Sequence, residues 1–147
     1  MAAARPDVRA DLETIRSREN ANYKACMRLA AGHAGRAGDD GSAQAWIEGE
    51  HLCESALAAG LQPALLAFSD RYLAIAGAKW AQYATKTVVF ADGLWPRLST
   101  LPSPAPVAMV IELPAAGRAV EAGVPTVVLD RLQDPGNAGA ILRSAAA

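Results

Sequence analysis

The sequence predicts an α/β fold: a three-layer α/β/α domain over residues 13–113, a linker over 114–124, and the first strand–helix unit of a further α/β domain over 125–147. Three observations carry this prediction. Short apolar or β-branched runs alternate with segments of helical period from residue 43 onward. Hydrophobic residues make up 52% of the 147, enough for a core and too many for a disordered chain. Gly- and Pro-rich stretches at 32–42, 102–106 and 114–124 punctuate the alternation where connections are needed.

The elements follow in order. Residues 1–12 are Ala-rich around Pro6 and read as a loose tail. Asn20 or Asn22 caps a helix in which Tyr23, Cys26, Met27 and Ala30 recur at helical spacing, ending near Gly32. GHAGRAGDDGS (32–42) reads as a flexible loop. Ala43–Ile47 is a strand running into a Glu48-Gly49 turn, and His51–Ala59 a helix stopped by Gly60. Ala64–Phe68 is the second strand, and Ser69 or Asp70 caps a helix to about Tyr83. Thr87–Phe90 is a third, β-branched strand, after which Asp92 caps a short helix through Leu98. PSPAP (102–106) is a rigid connector to a fourth strand, Val107–Leu113. Beyond the linker, Pro125–Leu129 reads as a fifth strand and Ala138–Ala147 as a helix.

Charge is unevenly spread: residues 1–36 carry a net +3 and the remainder a net −4, for −1 overall. The basic end permits an anionic partner, although from charge alone a solvated helix face is the favoured reading. Cys26 and Cys53 lie in apolar helical patterns with no CxxC or Cys/His cluster, and so read as buried thiols of a reducing, cytoplasmic compartment. His33 and His51 lack metal-ligand spacing, so no metal is expected. No 18-residue apolar run and no secretory signal are present, so no membrane is expected. Trp46, Trp80 and Trp95 could stack on bases, but core packing is the favoured reading of each.

The segment PTVVLDRLQDPGNAGAILRSAAA carries the chemistry. Val127-Val128-Leu129 is apolar throughout, as parallel strands buried on both faces are, and Asp130 sits at its carboxyl end. Pro135-Gly136 suits the centre of a type II turn, Asn137 can cap the next helix, and Ile141 and Leu142 would pack inward with Arg143 one to two turns in. Read as physics alone, this is a strand, a turn and a capped helix with a solvated arginine. Ligand sites do gather beyond the carboxyl ends of strands in such sheets, which raises the interest of this loop only modestly.

The same run, with Asp130, Asp134, Pro135, Asn137, Gly139, Ile141, Arg143 and Ala145 at fixed spacing, resembles the first motif of the SpoU/TrmH family of RNA ribose 2′-O-methyltransferases, in the SPOUT superfamily. Softer similarities lie upstream: IRSRENANYK (15–24), WIEGEHLCESAL (46–57) and PSPAPVAMVIELP (102–114) resemble segments of that family's substrate-binding domain. Together they cover residues 15–147. The resemblance implies transfer of a methyl group from S-adenosylmethionine to a ribose 2′-hydroxyl of tRNA or rRNA, by an enzyme that is a homodimer at full length. It implies that Arg143 contacts a substrate phosphate and helps activate the hydroxyl, while Asn137 shapes the site. A guanidinium is a poor base at its high pKa but pairs well with phosphate, so Arg143 is expected to position and polarise rather than abstract a proton. It further implies an N-terminal RNA-recruiting module, with Arg16, Arg18, Lys24 and Arg28 as candidate phosphate contacts.

The later motifs of the family, which build its knotted cofactor pocket, are absent from the sequence. The expectation is therefore that this chain alone binds no cofactor and is inactive, with Val127–Leu129 left as an unpaired apolar edge and 114–147 mobile or loosely docked. Two readings compete. A stand-alone RNA-binding module would show salt-sensitive RNA binding by residues 1–113, whereas a small α/β protein-interaction domain would show none.

Overall fold

A computed structural model describes residues 12–32, 35–36, 43–80, 82–83, 86–99, 101–113 and 120–146. Residues 1–11 of the expected N-terminal tail, most of the 32–42 loop and residues 114–119 of the linker lie outside the described residues, whereas Leu12, expected in the tail, packs against the core. The chain divides into two units, Met1–Ala115 and Ala116–Ala147.

In the first unit the elements run β1 (Thr14–Ile15), α1 (Ala21–Ala30), β2 (Gly35–Arg36), β3 (Ala43–Glu48), α2 (Glu50–Ala58), β4 (Pro63–Ser69), α3 (Asp70–Trp80), β5 (Thr87–Phe90), a 3₁₀ turn (Trp95–Arg97) and β6 (Val107–Glu112). The six strands form one sheet in the order β1-β5-β4-β6-β3-β2. β1, β5 and β4 are parallel; β6 lies antiparallel between β4 and β3, and β2 closes the far edge antiparallel to β3.

Alternation along the central strands sorts the core into two layers, as successive side chains in a strand point to opposite faces. Leu65, Ala67, Val88, Phe90, Ala108 and Val110 face α1 and the 3₁₀ turn, packing with Tyr23, Cys26, Trp95 and Leu98. Leu66, Phe68, Val89, Val107, Met109 and Ile111 face α2 and α3, packing with Cys53, Ala56, Leu73 and Trp80. Both faces of the sheet are covered, which is why β4 and β6 read as unbroken apolar runs. This is the expected three-layer α/β/α arrangement. The tryptophans are structural: Trp80 and Trp95 are buried, and Trp46 packs half-buried against the α1-side core.

Several local expectations are corrected. Two strands of two residues each, β1 and β2, were not expected; they exist through their neighbours' ladders rather than through their own sequence. Asp92 does not cap the helix that follows it. Its Oδ1 accepts from the backbone N–H of Arg71 at 3.3 Å, so it serves the start of α3, while the 3₁₀ turn begins at Leu94 with no side-chain cap. α3 ends at Trp80 rather than near Tyr83.

In the second unit, residues 120–134 hold no strand, and α4 spans Pro135–Ala145. The expected strand Pro125–Leu129 is absent because nothing among the described residues offers it a ladder, and Val128 is 83% exposed. Asp134, not Asn137, caps α4: its Oδ1 accepts from the N–H groups of Gly136 (2.6 Å) and Asn137 (3.2 Å). Pro135 and Gly136 therefore lie inside the first turn, where proline loses nothing because its N–H would be unpaired anyway. Ile141 and Leu142 are exposed, not packed inward.

Candidate functional site

One end of the sheet collects the loops that leave β1, β5, β4 and β3 and the loop that enters β6. The parallel direction of β1, β5 and β4 puts Arg16, Asp92 and Arg71 just beyond three adjacent strand ends. Sites in open α/β sheets form at such ends. Backbone bonds join the loops: Ala91 N–H donates to Ile15 O (3.0 Å), Ser69 N–H to Pro106 O (3.0 Å) and Gly49 N–H to Val107 O (2.9 Å). Glu48 Oε1 accepts from Ala105 N–H at 3.1 Å, and Trp95 Nε1–H donates to Ala105 O at 2.6 Å, which fixes the Pro-rich connector. Glu48-Gly49 is thus a turn, as its sequence suggested, with Gly49 at φ 106° where a side chain would be strained.

Arg16 and Arg18 lie at this end, on the exposed loop between β1 and α1. The loop is shaped by Asn20, whose side chain caps α1 by accepting from Asn22 N–H (2.9 Å) and Tyr23 N–H (3.3 Å). Glu13, Arg16, Ser17 and Asn20 line a shallow open depression here. The other two arginine or lysine candidates are placed differently. Lys24 is ion-paired with Glu19 and holds that carboxyl below its usual range. Arg28 sits in the last turn of α1, about 10 Å along the helix from its start. The structure therefore groups Arg16 with Arg18 and separates Arg28 from them.

Arg71 and Arg97 join this end from loops distant in sequence, and the sequence reading missed both. The available signal was positional: each follows a parallel strand by a few residues. Arg71 pairs with Asp92 (Nε to Oδ2, 3.6 Å), whereas Arg16, Arg18 and Arg97 form no ion pair among the described residues. The acids nearby are largely engaged: Glu48 with Ala105 N–H, Glu19 with Lys24, Glu50 with Lys79. Arg16, Arg18 and Arg97 thus bring guanidinium groups to an end whose charge is mixed, since Glu13, Glu48 and Asp70 also stand outside any ion pair among the described residues.

In the second unit, Asn137 and Arg143 are both on α4 and both exposed. The backbone of Asn137 is held by Asp134, leaving its side-chain amide clear of the cap. Arg143 folds back along its own helix: a Cβ added at Gly139 would stand 3.3 Å from its terminal guanidinium nitrogen. Gly139 thus leaves the groove in which that guanidinium rests. Residues 120–134, 136 and 137 are all exposed. No group of three or more metal-ligating side chains occurs among the described residues, and no helix there is long and apolar enough to cross a membrane.

No protein-family model matches the chain, and no curated protein matches it. Solved structures do. An RNA 2′-O ribose methyltransferase superposes with a TM-score of 0.64 at 24% identity, over 90% of this chain and 51% of the other. An rRNA methyltransferase from Sinorhizobium meliloti matches at TM-score 0.53 and 17% identity, and its AdoMet-bound form at 0.52 and 18%, each over 71% of this chain and 38% of the other. The chain spans about half the length of the first structure and less of the others. At these identities the likeness establishes the fold: a mixed α/β arrangement shared with part of these RNA methyltransferase structures.

Proposed function

We propose that this chain is the N-terminal part of an RNA methyltransferase of SpoU/TrmH type, in which residues 13–113 recruit tRNA or rRNA and residues 125–147 open the catalytic domain. The full enzyme transfers a methyl group to a ribose 2′-hydroxyl in a cytoplasmic, homodimeric setting, with S-adenosylmethionine as donor. The observation that carries this reading is the superposition of 90% of the chain on an RNA 2′-O ribose methyltransferase. The 134–143 motif adds to it, since its spacing puts Asn137 and Arg143 on one short capped helix.

The chain's own residues then divide the work. Arg16 and Arg18, exposed at the sheet end and in no ion pair among the described residues, bind backbone phosphates. Lys24 and Arg28 contribute long-range attraction at most. Lys24 must first leave Glu19, and Arg28 stands a helix length away. Arg143 presents a planar two-pronged donor to a substrate phosphate next to the reacting hydroxyl, positioning and polarising rather than accepting the proton. Gly139 keeps the guanidinium's resting place open, and Asn137 shapes the loop at the start of the helix.

Filter binding to tRNA and rRNA fragments across a salt series tests the recruiting role. Affinity is expected to fall steeply with salt, and Arg16→Ala with Arg18→Ala should lower the log–log slope by about two. Absence of binding at low salt would overturn it. In a protein where this segment continues into a complete catalytic domain, Arg143→Ala should nearly abolish turnover without loss of folding; retained turnover would remove the assignment.

A further inference from the structure

We propose that the groove between the start of α3 and the 91–106 loop takes one unpaired nucleobase of an RNA strand, guanine in preference to uracil. The inference rests on the RNA-recruiting reading above and deepens it. Tyr72 and Ile75 of α3 form one side of the groove and Trp95, Pro96, Pro104 and Pro106 the other, around a volume of about 460 Å³. That volume falls within the range of roughly 300–1,000 Å³ that small-molecule sites occupy.

The lining is unusual for a surface helix. Ile75 is 81% exposed, more than any other large apolar side chain described in the first unit. Helix faces turned to water are ordinarily polar, and an apolar group left open beside proline and aromatic walls marks a contact site. The walls are also held rigidly. Trp95 is tied to Ala105 O, Tyr72 stacks on Phe68 with ring centroids 6.2 Å apart, and Ser69 Oγ accepts from Tyr72 N–H at 3.3 Å. The buried Trp95 fixes its wall from behind, while Tyr72, Ile75 and the proline rings present the apolar surface that meets the face of a splayed base.

The rim supplies charge and hydrogen bonding. The exposed guanidinium of Arg71 can pair with the phosphate of the inserted nucleotide. Asp92 Oδ1 accepts from Arg71 N–H while Oδ2 pairs with Arg71 Nε at 3.6 Å, so turning the guanidinium to a phosphate frees Oδ2 for the base. Guanine offers a carboxylate two adjacent donors, N1–H and the 2-amino group, whereas uracil offers one donor flanked by carbonyl oxygens that the carboxylate repels. Arg16 and Arg18 follow β1, two strands from β4 and so about 10 Å away. A strand gripped there can place a base a few nucleotides on into the groove. Proline-rich peptides also suit aromatic and proline walls, but Arg16, Arg18 and Arg97, which form no ion pair among the described residues, favour a polyanion.

The test uses the 147-residue chain and fluorescence anisotropy with the labelled pentanucleotides UUGUU and UUUUU. UUGUU should bind at least about fivefold tighter than UUUUU, and Ile75→Glu should weaken UUGUU about tenfold, because it replaces an apolar contact with a charge that repels the strand. Ile75→Ala should do the same more mildly, and both variants should keep the native circular dichroism because the residue lies on the surface. Asp92→Asn retains an acceptor for Arg71 N–H and should make the two oligonucleotides equal. Unchanged affinity in both Ile75 variants, equal binding of the two oligonucleotides by the unaltered protein, or Ile75-dependent binding of decaproline with none of RNA overturns the proposal. Weakening by Arg16→Ala and Arg18→Ala but not by Ile75→Glu removes the groove and leaves the recruiting role standing. No binding of any RNA removes both.

Discussion

At the scale of single residues, the two cysteines and two of the tryptophans show how burial sets chemistry. Cys26 and Cys53 are each about fully buried, and burial pushes both thiols up to about 12 from an ordinary value of 9.0. Neither is a nucleophile at neutral pH, which leaves them as small core groups. A thiol reagent at pH 8 is expected to titrate neither in the folded chain and both in urea; fast labelling of the native protein would contradict their placement. The sign of the pH effect follows. The unfolded thiols ionise near 9 while the folded ones keep their protons to about 12, so their contribution to stability is complete below 9 and lost as pH rises from there. Trp46 and Trp95 pack against each other, centroids 6.5 Å apart, yet differ at the ring nitrogen. Trp95 Nε1–H has Ala105 O; Trp46 Nε1 is buried with no partner among the described residues. Trp95→Phe strands a carbonyl, while Trp46→Phe removes an orphan donor, so the first should cost about 1–3 kcal/mol more in urea unfolding. Equal costs would show that ring volume alone decides.

At the scale of elements, α3 is tied down at both ends by partners distant in sequence. Its first turn is capped by Ser69 and by Asp92 from the β5 loop. Its last turn is clamped by Lys79, paired with both Glu50 and Glu54 of α2. Those carboxylates raise the Lys79 pKa, and Lys79 in turn lowers that of Glu50. The clamp is largely exposed, so it should be weak and salt-sensitive; its Glu50 part is present above the unfolded carboxyl pKa and lost as pH falls below it. Between these ends, Gly77 faces the core: a Cβ there would stand 2.8 Å from Leu73 Cδ1, itself buried. Gly77→Ala gains about 1 kcal/mol of helix propensity but overpacks for about 1–3 kcal/mol, so a net loss is expected in thermal melts. A gain would mean Leu73 has room to turn. This element also shows what was legible in the sequence. Its period, its Ser69 cap and the apolar strands on either side could all be read, because each is a local pattern. The destination of Asp92 could not, because a carboxylate before a short helix satisfies the local capping rule whether or not a longer helix competes for it. The same limit hid Arg71 and Arg97. Arg16 and Arg18 were found because the basic bias is contiguous, whereas the other two reach the site only through the parallel order β1-β5-β4. Two-residue strands carry too few side chains for any period, and so β1 and β2 were invisible as well.

At the scale of the whole molecule, the two units differ in how they meet their apolar residues. Both core layers are built from residues between Leu12 and Ile111, all in the first unit. In the second, Val120, Val124, Val127, Val128, Leu129 and Leu142 are exposed. The run Val127–Leu129 is apolar on both faces, the composition of a central parallel strand, yet it has neither ladder nor cover among the described residues. Its sequence was legible as a strand; its realisation depends on partners that only a surrounding sheet supplies. A chain ending at Ala115 loses no core side chain, so it should unfold cooperatively with a Tm within about 3 °C of the intact chain, since a change of 1 kcal/mol moves Tm by roughly 4–8 °C in domains of this size. It should also bind less of an apolar dye and aggregate less, because it sheds the exposed valines and leucines. A broad, uncooperative melt of the shortened chain would show that residues 116–147 complete the first unit. A sharp melt with reduced dye binding would show that their apolar surface belongs to another layer, as a strand awaiting its sheet requires.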